Sequence, residues 1–190
     1  MWKSNFADYA KRPLQNTYLL QNIMTETEEI KTGLVQLVAG SDSQGMPVLE
    51  KLKVSYLETP GHYKLQRSPL FVRDLAAGDI FSCAQDNPAN YKVIERSGNL
   101  SIRVFRKDDI DEVAEFLTPE VEKLDGSIDL KSDRALVYSL HVNNGFAEIE
   151  RLFDSAMARY TDSVWYYGNV YDRNDGITPL NWWDEFINQV

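Results

Sequence analysis

The order of strand and helix patterns in the second half of the chain constrains its fold more than any other sequence feature. Apolar periodicity predicts, in chain order, a strand over residues 100–105, helices over 108–117 and 118–124, strands over 127–130 and 135–142, a helix over 144–160 and a strand over 164–171. This order is that of the ferredoxin-like βαββαβ unit, an antiparallel sheet with two helices on one face. We expect a hairpin between the two middle strands, with residues 131–134 as its turn.

Local signals predict where the helices begin. Thr118 followed by Pro119 is typical of an N-cap and a first helical residue, so a separate short helix is expected after residue 117. Asn143 or Asn144 is expected to cap the second long helix.

The first half of the chain contains shorter strand patterns separated by turn residues. The predicted strands cover residues 32–39, 48–57, 63–65, 71–72, 80–83, 91–95. The last of these is expected to pair with residues 100–105 across Ser97-Gly98-Asn99. Short strands at this spacing indicate a small barrel-like or bent sheet.

The predicted fold class is therefore α+β, with a strand-rich N-terminal part packed on a C-terminal ferredoxin-like part. We expect residues 31–99 and 100–190 to form one integrated unit, preceded by an arm over residues 1–30. The first 23 residues differ in charge from the acidic segment that follows, so Met1 and Met24 are both candidate start sites.

Charge and cysteine content limit the classes of function. The chain has 190 residues and a net charge of −9, which disfavours non-specific binding to nucleic acid and to anionic membranes. The single cysteine, Cys83, cannot form an intrachain disulfide, and no apolar run approaches the length of a membrane-spanning helix. No secretory signal is evident at the N-terminus. These features indicate a cytoplasmic protein without a membrane or nucleic-acid partner.

Most of the net charge lies between residues 108 and 125. Eight acids stand there against one lysine, and the acids are Asp108, Asp109, Asp111, Glu112, Glu115, Glu120, Glu122, Asp125. The segment is interpreted either as a solvated helix face or as an acidic surface that docks a basic partner. Paired carboxylates for acid–base chemistry are a third interpretation, which would require a cleft to separate their pKa values.

The last aromatic run, residues 163–183, contains three of the four tryptophans. Strand alternation would place Val164 and Tyr166 under the helices, and Trp165 and Tyr167 on the opposite sheet face. The run is then either a seam joining the two parts of the chain or a groove for a ligand or partner. The groove would be lined by Tyr167, Tyr171, Trp182, Trp183, with polar contacts from Asn169, Asp172, Asp175.

Few residues suggest catalysis. The two histidines, His62 and His141, and Cys83 fall on unrelated predicted elements, so neither a metal site nor a Cys–His nucleophile is expected. The sequence contains no phosphate-binding glycine loop and no Gly-x-Ser-x-Gly motif. We expect no cofactor and no enzymatic activity.

Several blocks of sequence resemble a known family. They include LVQLVAGSDSQGMPVLEKLKV, YKLQRSPLFVRDLAAGDIF, VIERSGNLSIRVF and WYYGNVYDRNDGITPLNWW, between about residues 32 and 185. FVRDLAAGDIF (71–81) and YGNVYDRNDGITPLNWW (167–183) are the most particular. Together they are similar to the bacterial family known as domain of unknown function 4265 (DUF4265). The resemblance implies one bacterial domain, but no established activity, cofactor or catalytic residue.

These features favour a non-enzymatic binding or inhibitor protein, such as an immunity protein that neutralises a bacterial toxin through its acidic surface. A regulatory or sensor domain for a small ligand is the alternative, because ferredoxin-like sheets often host one. An enzyme using groups near the aromatic run is the third hypothesis.

Overall fold

The computed structural model of the chain describes residues 30–84 and 87–187. The chain divides into two units, residues 1–30 and 31–190, and every element below belongs to the second unit. The predicted N-terminal arm and the alternative start at Met24 concern residues outside the described ranges. Within those ranges, no helix is long and apolar enough to cross a lipid bilayer.

The first sheet is an antiparallel meander of five strands. They are β1 (Thr32–Ser41), β2 (Pro47–Tyr56), β3 (His62–Leu65), β4 (Ile80–Cys83) and β5 (Tyr91–Glu95), and they pair in that order. Asp42 holds the first turn because its Oδ1 accepts hydrogen bonds from the backbone N–H groups of Gln44 and Met46. Over the described residues β1 and β5 do not pair, so the sheet is not a closed barrel.

The second sheet has four antiparallel strands with two long helices on one face. Its strands are β6 (Asn99–Arg106), β7 (Ser127–Lys131), β8 (Ala135–His141) and β9 (Ser163–Tyr167), in the order β7-β8-β6-β9. The helices α1 (Ile110–Lys123) and α2 (Phe146–Arg159) pack their apolar faces against β6 and β8. A short helix, α3 (Asp184–Ile187), follows the aromatic run. The protein is therefore α+β, as predicted, and β7 and β8 form the predicted hairpin.

The predicted pairing of residues 91–95 with 100–105 is wrong. Both edges of β6 are occupied, because β8 lies on one side of it and β9 on the other. The alternate side chains Leu100, Ile102 and Val104 are fully buried in the core of the second sheet. β5 therefore pairs only with β4, and Gly98 lies at the passage between the two sheets.

The predicted strand at residues 71–72 is also absent. These residues belong to an irregular segment, 66–79, that leaves the first sheet after β3, contacts the second sheet and returns to the first sheet at β4. We call it the crossing segment. Ser68 makes contacts at the second sheet: its N–H donates to Asp129 Oδ2 at 2.8 Å, and its hydroxyl lies 2.7 Å from that of Ser139. At residues 71 and 72 the side chains of Glu50 and Arg103, rather than a neighbouring strand, bond to the backbone.

α1 is one helix, not the predicted pair, and it continues through Pro119. Proline lacks the N–H of a helical hydrogen bond and costs about 3 kcal/mol in a helix interior. Burial offsets that cost, because an apolar stripe runs without interruption along the helix: Ile110, Val113, Ala114, Leu117, Val121.

α2 is preceded by a turn of 3-10 helix and begins after Gly145, whose φ is 79°. No side chain caps it, so the predicted Asn cap is wrong. Asn144 instead donates from its amide to the backbone oxygens of Leu124 and His141. It thereby ties the start of α2 to the end of α1.

The predicted assignment of the two faces of the last strand is reversed. β9 pairs with β6 so that Trp165 lies opposite Val104, and directly opposed residues share a sheet face. Trp165 and Tyr167 therefore lie on the helix side. Val164 and Tyr166 lie on the other side and are 59% and 44% exposed. Register with β6, rather than side-chain size, decided the faces.

Candidate functional site

The predicted acidic residues lie around α1, and all but one of them are exposed. Asp108 and Asp109 precede the helix, and Asp111, Glu112, Glu115 and Glu122 are exposed along it, whereas Glu120 is half-buried. We call this set the acidic surface and define it as Asp108, Asp109, Asp111, Glu112, Glu115, Glu120, Glu122.

Three members of the acidic surface form ion pairs with neighbouring cations. The contacts are Asp111–Lys131 at 2.5 Å, Glu112–Arg106 at 2.9 Å and Glu120–Lys123 at 2.6 Å. Exposed pairs of this kind contribute about 0–1 kcal/mol, so these carboxylates stay exchangeable with an external cation. Within the described residues, Asp108, Glu115 and Glu122 have no ion pair.

Arg106 organises the end of the acidic surface nearest the second helix. Its Nε donates to both carboxylate oxygens of Asp162, at 3.0 and 2.9 Å, and its Nη1 donates to Glu112. Its guanidinium lies 5.2 Å from the ring centre of Tyr160. The hydrogen bond from Arg106 lowers the pKa of Asp162. This bidentate arrangement orders the surface residues without burying them.

The residues of the predicted aromatic groove do not form one groove. Asn169 is fully buried: its Oδ1 accepts from Ser101 N–H at 2.9 Å, and its Nδ2 donates to Asn99 O at 2.8 Å. Trp182 is only 8% exposed, and its Nε1 donates to Asn169 O at 2.7 Å. These two residues hold the C-terminal segment on the second sheet, so they are part of the interior.

The remaining groove residues line two depressions, which share Tyr167 and Tyr171. A crevice of about 180 Å³ lies between α2 and the C-terminal segment, and its lining includes Tyr167, Tyr171 and Trp183. The Tyr167 hydroxyl is buried without a hydrogen-bond partner among the described residues, and burial raises its pKa. Asp172 and Asp175 line the second, larger depression together with Tyr167 and Tyr171, and there they meet residues that the sequence did not single out.

This larger depression, the arginine pocket, has a volume of about 520 Å³. It is lined by Arg73, Arg103, Tyr166, Tyr167, Gly168, Tyr171, Asp172, Asp175, Gly176. The walls come from the crossing segment, the end of β9 and the loop after it. Arg73 and Arg103 stand in FVRDLAAGDIF and LSIRVF, two stretches that resemble the family, and the sequence indicated no role for either residue.

Arg103 is the most unusual residue of the pocket, since it is a cation with 1% of its surface exposed. Its Nη1 donates to Phe71 O at 3.3 Å and its Nη2 to Val72 O, whereas its Nε has no partner within the described residues. Burial lowers the pKa of Arg103, and the nearby Tyr166 and Glu50 oppose this shift. No carboxylate of the described chain lies within 4.0 Å to neutralise it.

Glu50 holds the same crossing segment from the other side. Its carboxylate accepts the backbone N–H groups of Leu70 (2.7 Å), Phe71 (2.9 Å) and Val72 (2.7 Å). Glu50 lies on β2 and Arg103 on β6, so the segment is held between a carboxylate from the first sheet and a guanidinium from the second. The position of Arg73, one residue later, depends on this arrangement.

The loop that forms the opposite wall is held by its own side chains. Asp175 accepts hydrogen bonds from Ile177 N–H, Thr178 N–H and the Thr178 hydroxyl, and these bonds lower its pKa. Asp172 Oδ1 accepts from Asn174 N–H at 2.7 Å. Both aspartates of the pocket therefore lie on an ordered turn.

A further contact fastens this loop to the first sheet. Arg173 donates to Tyr91 O at 3.1 Å and lies 4.2 Å from the centre of its ring. The Tyr91 hydroxyl in turn donates to Arg73 O at 2.7 Å. Tyr91 thus connects both walls of the arginine pocket.

A second buried polar network lies beside the pocket. Asp79 is fully buried and accepts from both the N–H (2.8 Å) and the hydroxyl (2.9 Å) of Ser97. Arg96 forms ion pairs with Asp79 and with Asp74, and its guanidinium lies 5.4 Å from the Trp182 ring centre. Burial raises the pKa of Asp79. Because its hydrogen-bonding groups are used internally, the network is structural.

The candidate catalytic side chains lie on three strands. His62 begins β3 and Cys83 ends the neighbouring β4, where His62 pairs with Ser82, whereas His141 ends β8 in the second sheet. Across residues 30–84 and 87–187, no group of three or more His, Cys, Asp or Glu side chains is arranged to hold a metal ion. Sequence reasoning missed Arg73 and Arg103; the available signal was a charged residue at the centre of an otherwise apolar strand, LSIRVF.

Comparison with known proteins agrees with the sequence blocks. No curated protein matches the chain. A crystal structure of a hypothetical protein from Neisseria gonorrhoeae has a similar fold, with a TM-score of 0.56 and 16% sequence identity over 73% of this chain and 94% of that one. The family described as domain of unknown function (DUF4265) matches residues 50–162, which is more than half of the chain. The protein therefore belongs to the DUF4265 family.

Proposed function

We propose that this protein is a non-enzymatic, cytoplasmic binding protein whose acidic surface docks a basic protein partner. The observation that carries the proposal is the exposure of Asp108, Glu115 and Glu122 on one surface without internal ion pairs in the described chain. Opposite charge on a partner would speed association and select that partner over acidic proteins. A toxin neutralised by this protein is the kind of partner we favour, which would make it an immunity protein.

We also propose that the second sheet and its helices form a ferredoxin-like unit. The strand order β7-β8-β6-β9 supports this assignment, because a split βαβ unit places a later strand between the two strands that a helix connects. Here β8 lies between β6 and β7, and α1 connects those two. In this arrangement both helices cover one face, which leaves the outer side of α1 available to a partner.

A small-ligand regulatory domain is the second candidate function. The arginine pocket favours it, because about 520 Å³ is within the range of small-molecule sites and its lining combines aromatic rings with a few charged groups. The pocket and the acidic surface use different residues, so the two candidate functions can be tested separately.

The experiment for the docking proposal uses the toxin gene nearest to the gene for this protein. We expect the wild-type protein to restore growth when both are expressed, and to bind the purified toxin in calorimetry with an affinity that falls as salt rises. The triple variant D108K/E115K/E122K should bind at least about tenfold more weakly, since close charge pairs across interfaces couple by about 1.5 kcal/mol or more.

A charge-matched control is E58K/E95K/D133K, which reverses three exposed acids outside the acidic surface. It should bind the toxin as the wild type does, and circular dichroism should show both triple variants folded. Equal affinity for the wild type and D108K/E115K/E122K would remove the acidic surface from the interface. Failure of the wild-type protein to restore growth would reject the immunity function.

A further inference from the structure

We propose that the arginine pocket binds a small zwitterion of the α-amino acid class, with the ligand carboxylate at Arg73 and Arg103 and the ligand ammonium at Asp172. The proposal gives a chemical identity to the ligand of the second candidate function and is independent of the acidic surface.

The cationic wall has hydrogen-bonding capacity that the chain does not use. Arg73 is exposed, and within the described residues its guanidinium has no ion pair or hydrogen bond. It lies against Gly176, where a Cβ would be only 3.2 Å from its Nη1. Arg103 forms the base of the pocket: it is buried, forms no ion pair in the described structure, and keeps one donor, Nε, without a partner there. Two adjacent arginines of this kind form a site for a carboxylate.

The acidic wall has one hydrogen-bond acceptor that the chain does not use. Asp175 uses both oxygens within its own turn, accepting three hydrogen bonds. Asp172 accepts one, on Oδ1, so its Oδ2 is left to accept from a ligand. In the described structure neither aspartate comes within 4.0 Å of the nitrogens of Arg73 or Arg103. The pocket therefore holds opposite charges that form no ion pair with one another.

This charge arrangement discriminates between ligand classes. Phosphate or another small anion would gain from the two arginines but would be repelled by the two aspartates on the facing wall. A simple amine would be attracted by the two aspartates but repelled by the two arginines. A ligand that carries both charges a few ångströms apart gains from both walls, as an α-amino acid does. The exposed rings of Tyr166 and Tyr171 supply apolar contact for its side chain.

Both walls are held in place before a ligand arrives. Glu50 and Arg103 hold the segment that carries Arg73, and Arg173 and Tyr91 connect that segment to the loop that carries Asp172. A preformed site loses less conformational entropy on binding, so a small ligand can bind measurably through a few contacts.

The test begins with a pool of the twenty common amino acids and the full-length protein, examined by saturation-transfer NMR. We expect at least one amino acid to bind. For that amino acid, two derivatives separate the charges: the methyl ester keeps the ammonium and loses the carboxylate, and the N-acetyl form does the opposite. Calorimetry should find each derivative at least about tenfold weaker than the free amino acid.

Two variants assign each charge to a wall. Arg73→Gln should weaken the free amino acid at least about tenfold but leave the ester unchanged, and Asp172→Asn should weaken it similarly but leave the N-acetyl form unchanged. Arg67→Gln, at an exposed arginine outside this pocket, is the control and should bind as the wild type does.

Three results would overturn the proposal: no member of the pool binds, a singly charged derivative binds as tightly as the amino acid, or Arg73→Gln binds like Arg67→Gln. The triple variant D108K/E115K/E122K should retain amino-acid binding. The two proposals can therefore fail independently.

Discussion

Replacing Glu50 with glutamine should destabilise the protein by about 3 kcal/mol, although the two side chains have nearly the same size. The two oxygens of Glu50 accept different hydrogen bonds: Oε1 accepts from Leu70 N–H, and Oε2 accepts from Phe71 and Val72 N–H. A glutamine can place its oxygen on one side only. Its NH₂ group then faces a backbone N–H, and two donors meet.

The magnitude follows from these three bonds. Hydrogen bonds to a charged group contribute about 1.5–3 kcal/mol each, and neutral ones about 0.5–1.5 kcal/mol. The substitution removes one charged bond and converts the other two into neutral ones, a gross loss of about 3.5–6 kcal/mol. Part of this loss is offset, because a neutral glutamine does not carry the desolvation cost of a half-buried carboxylate. A net loss of about 3 kcal/mol corresponds to a fall of about 6–12 °C in Tm for a chain of this length.

The assay is urea unfolding followed by tryptophan fluorescence, with Glu58→Gln as the control. Glu58 is exposed and has no hydrogen bond or ion pair in the described structure, so its replacement should change stability by less than about 0.5 kcal/mol. A loss below about 1 kcal/mol for Glu50→Gln, with an unchanged m-value, would show that water replaces the carboxylate and that our account of the crossing segment is wrong.

Three further substitutions test other parts of the fold. Burial raises the pKa of Tyr138 from 10.0 to about 12, so the folded state keeps a proton that the unfolded state loses, and stability falls above pH 10. By pH 12 this loss of stability is about 2–3 kcal/mol. Urea unfolding at pH 9 to 12 should therefore show that Tyr138→Phe loses about 2–3 kcal/mol less stability than the wild type over this range. An equal loss in the two proteins would contradict this assignment. Gly168→Ala places a Cβ 2.7 Å from Arg103 Nε and should cost about 1–3 kcal/mol in chemical denaturation; a neutral effect would mean that this arginine can move. Pro119→Ala restores a helical N–H at an exposed position of α1 and should raise Tm by several degrees, whereas a lower Tm in calorimetry would refute the cost assigned to this proline.

The candidate site was predictable only in part. Every member of the acidic surface follows from composition and helical spacing, because exposed charges need no partner element to place them. Four residues of the arginine pocket, Tyr167, Tyr171, Asp172 and Asp175, were expected to line a groove. Its two arginines do not follow from the sequence, because the pocket combines residues about 100 positions apart: Arg73 lies on the crossing segment and Asp172 on the C-terminal loop. Asn169 and Trp182, expected at a surface groove, are instead buried: Asn169 accepts a hydrogen bond from Ser101 of β6, and Trp182 donates one to the backbone oxygen of Asn169.

Local periodicity determined the α+β class and the positions of most strands and both long helices, because a 2-residue or 3.6-residue apolar period identifies an element without its neighbours. It could not determine which edge of β6 each partner takes, nor which face of β9 is inner. Alternation marks two faces equally, and only the register of Trp165 opposite Val104 distinguishes them. The tertiary structure likewise decided that a charged residue within an apolar strand, Arg103, would be buried, since the carbonyl groups that accept its hydrogen bonds lie on a segment more than 30 residues earlier in the chain.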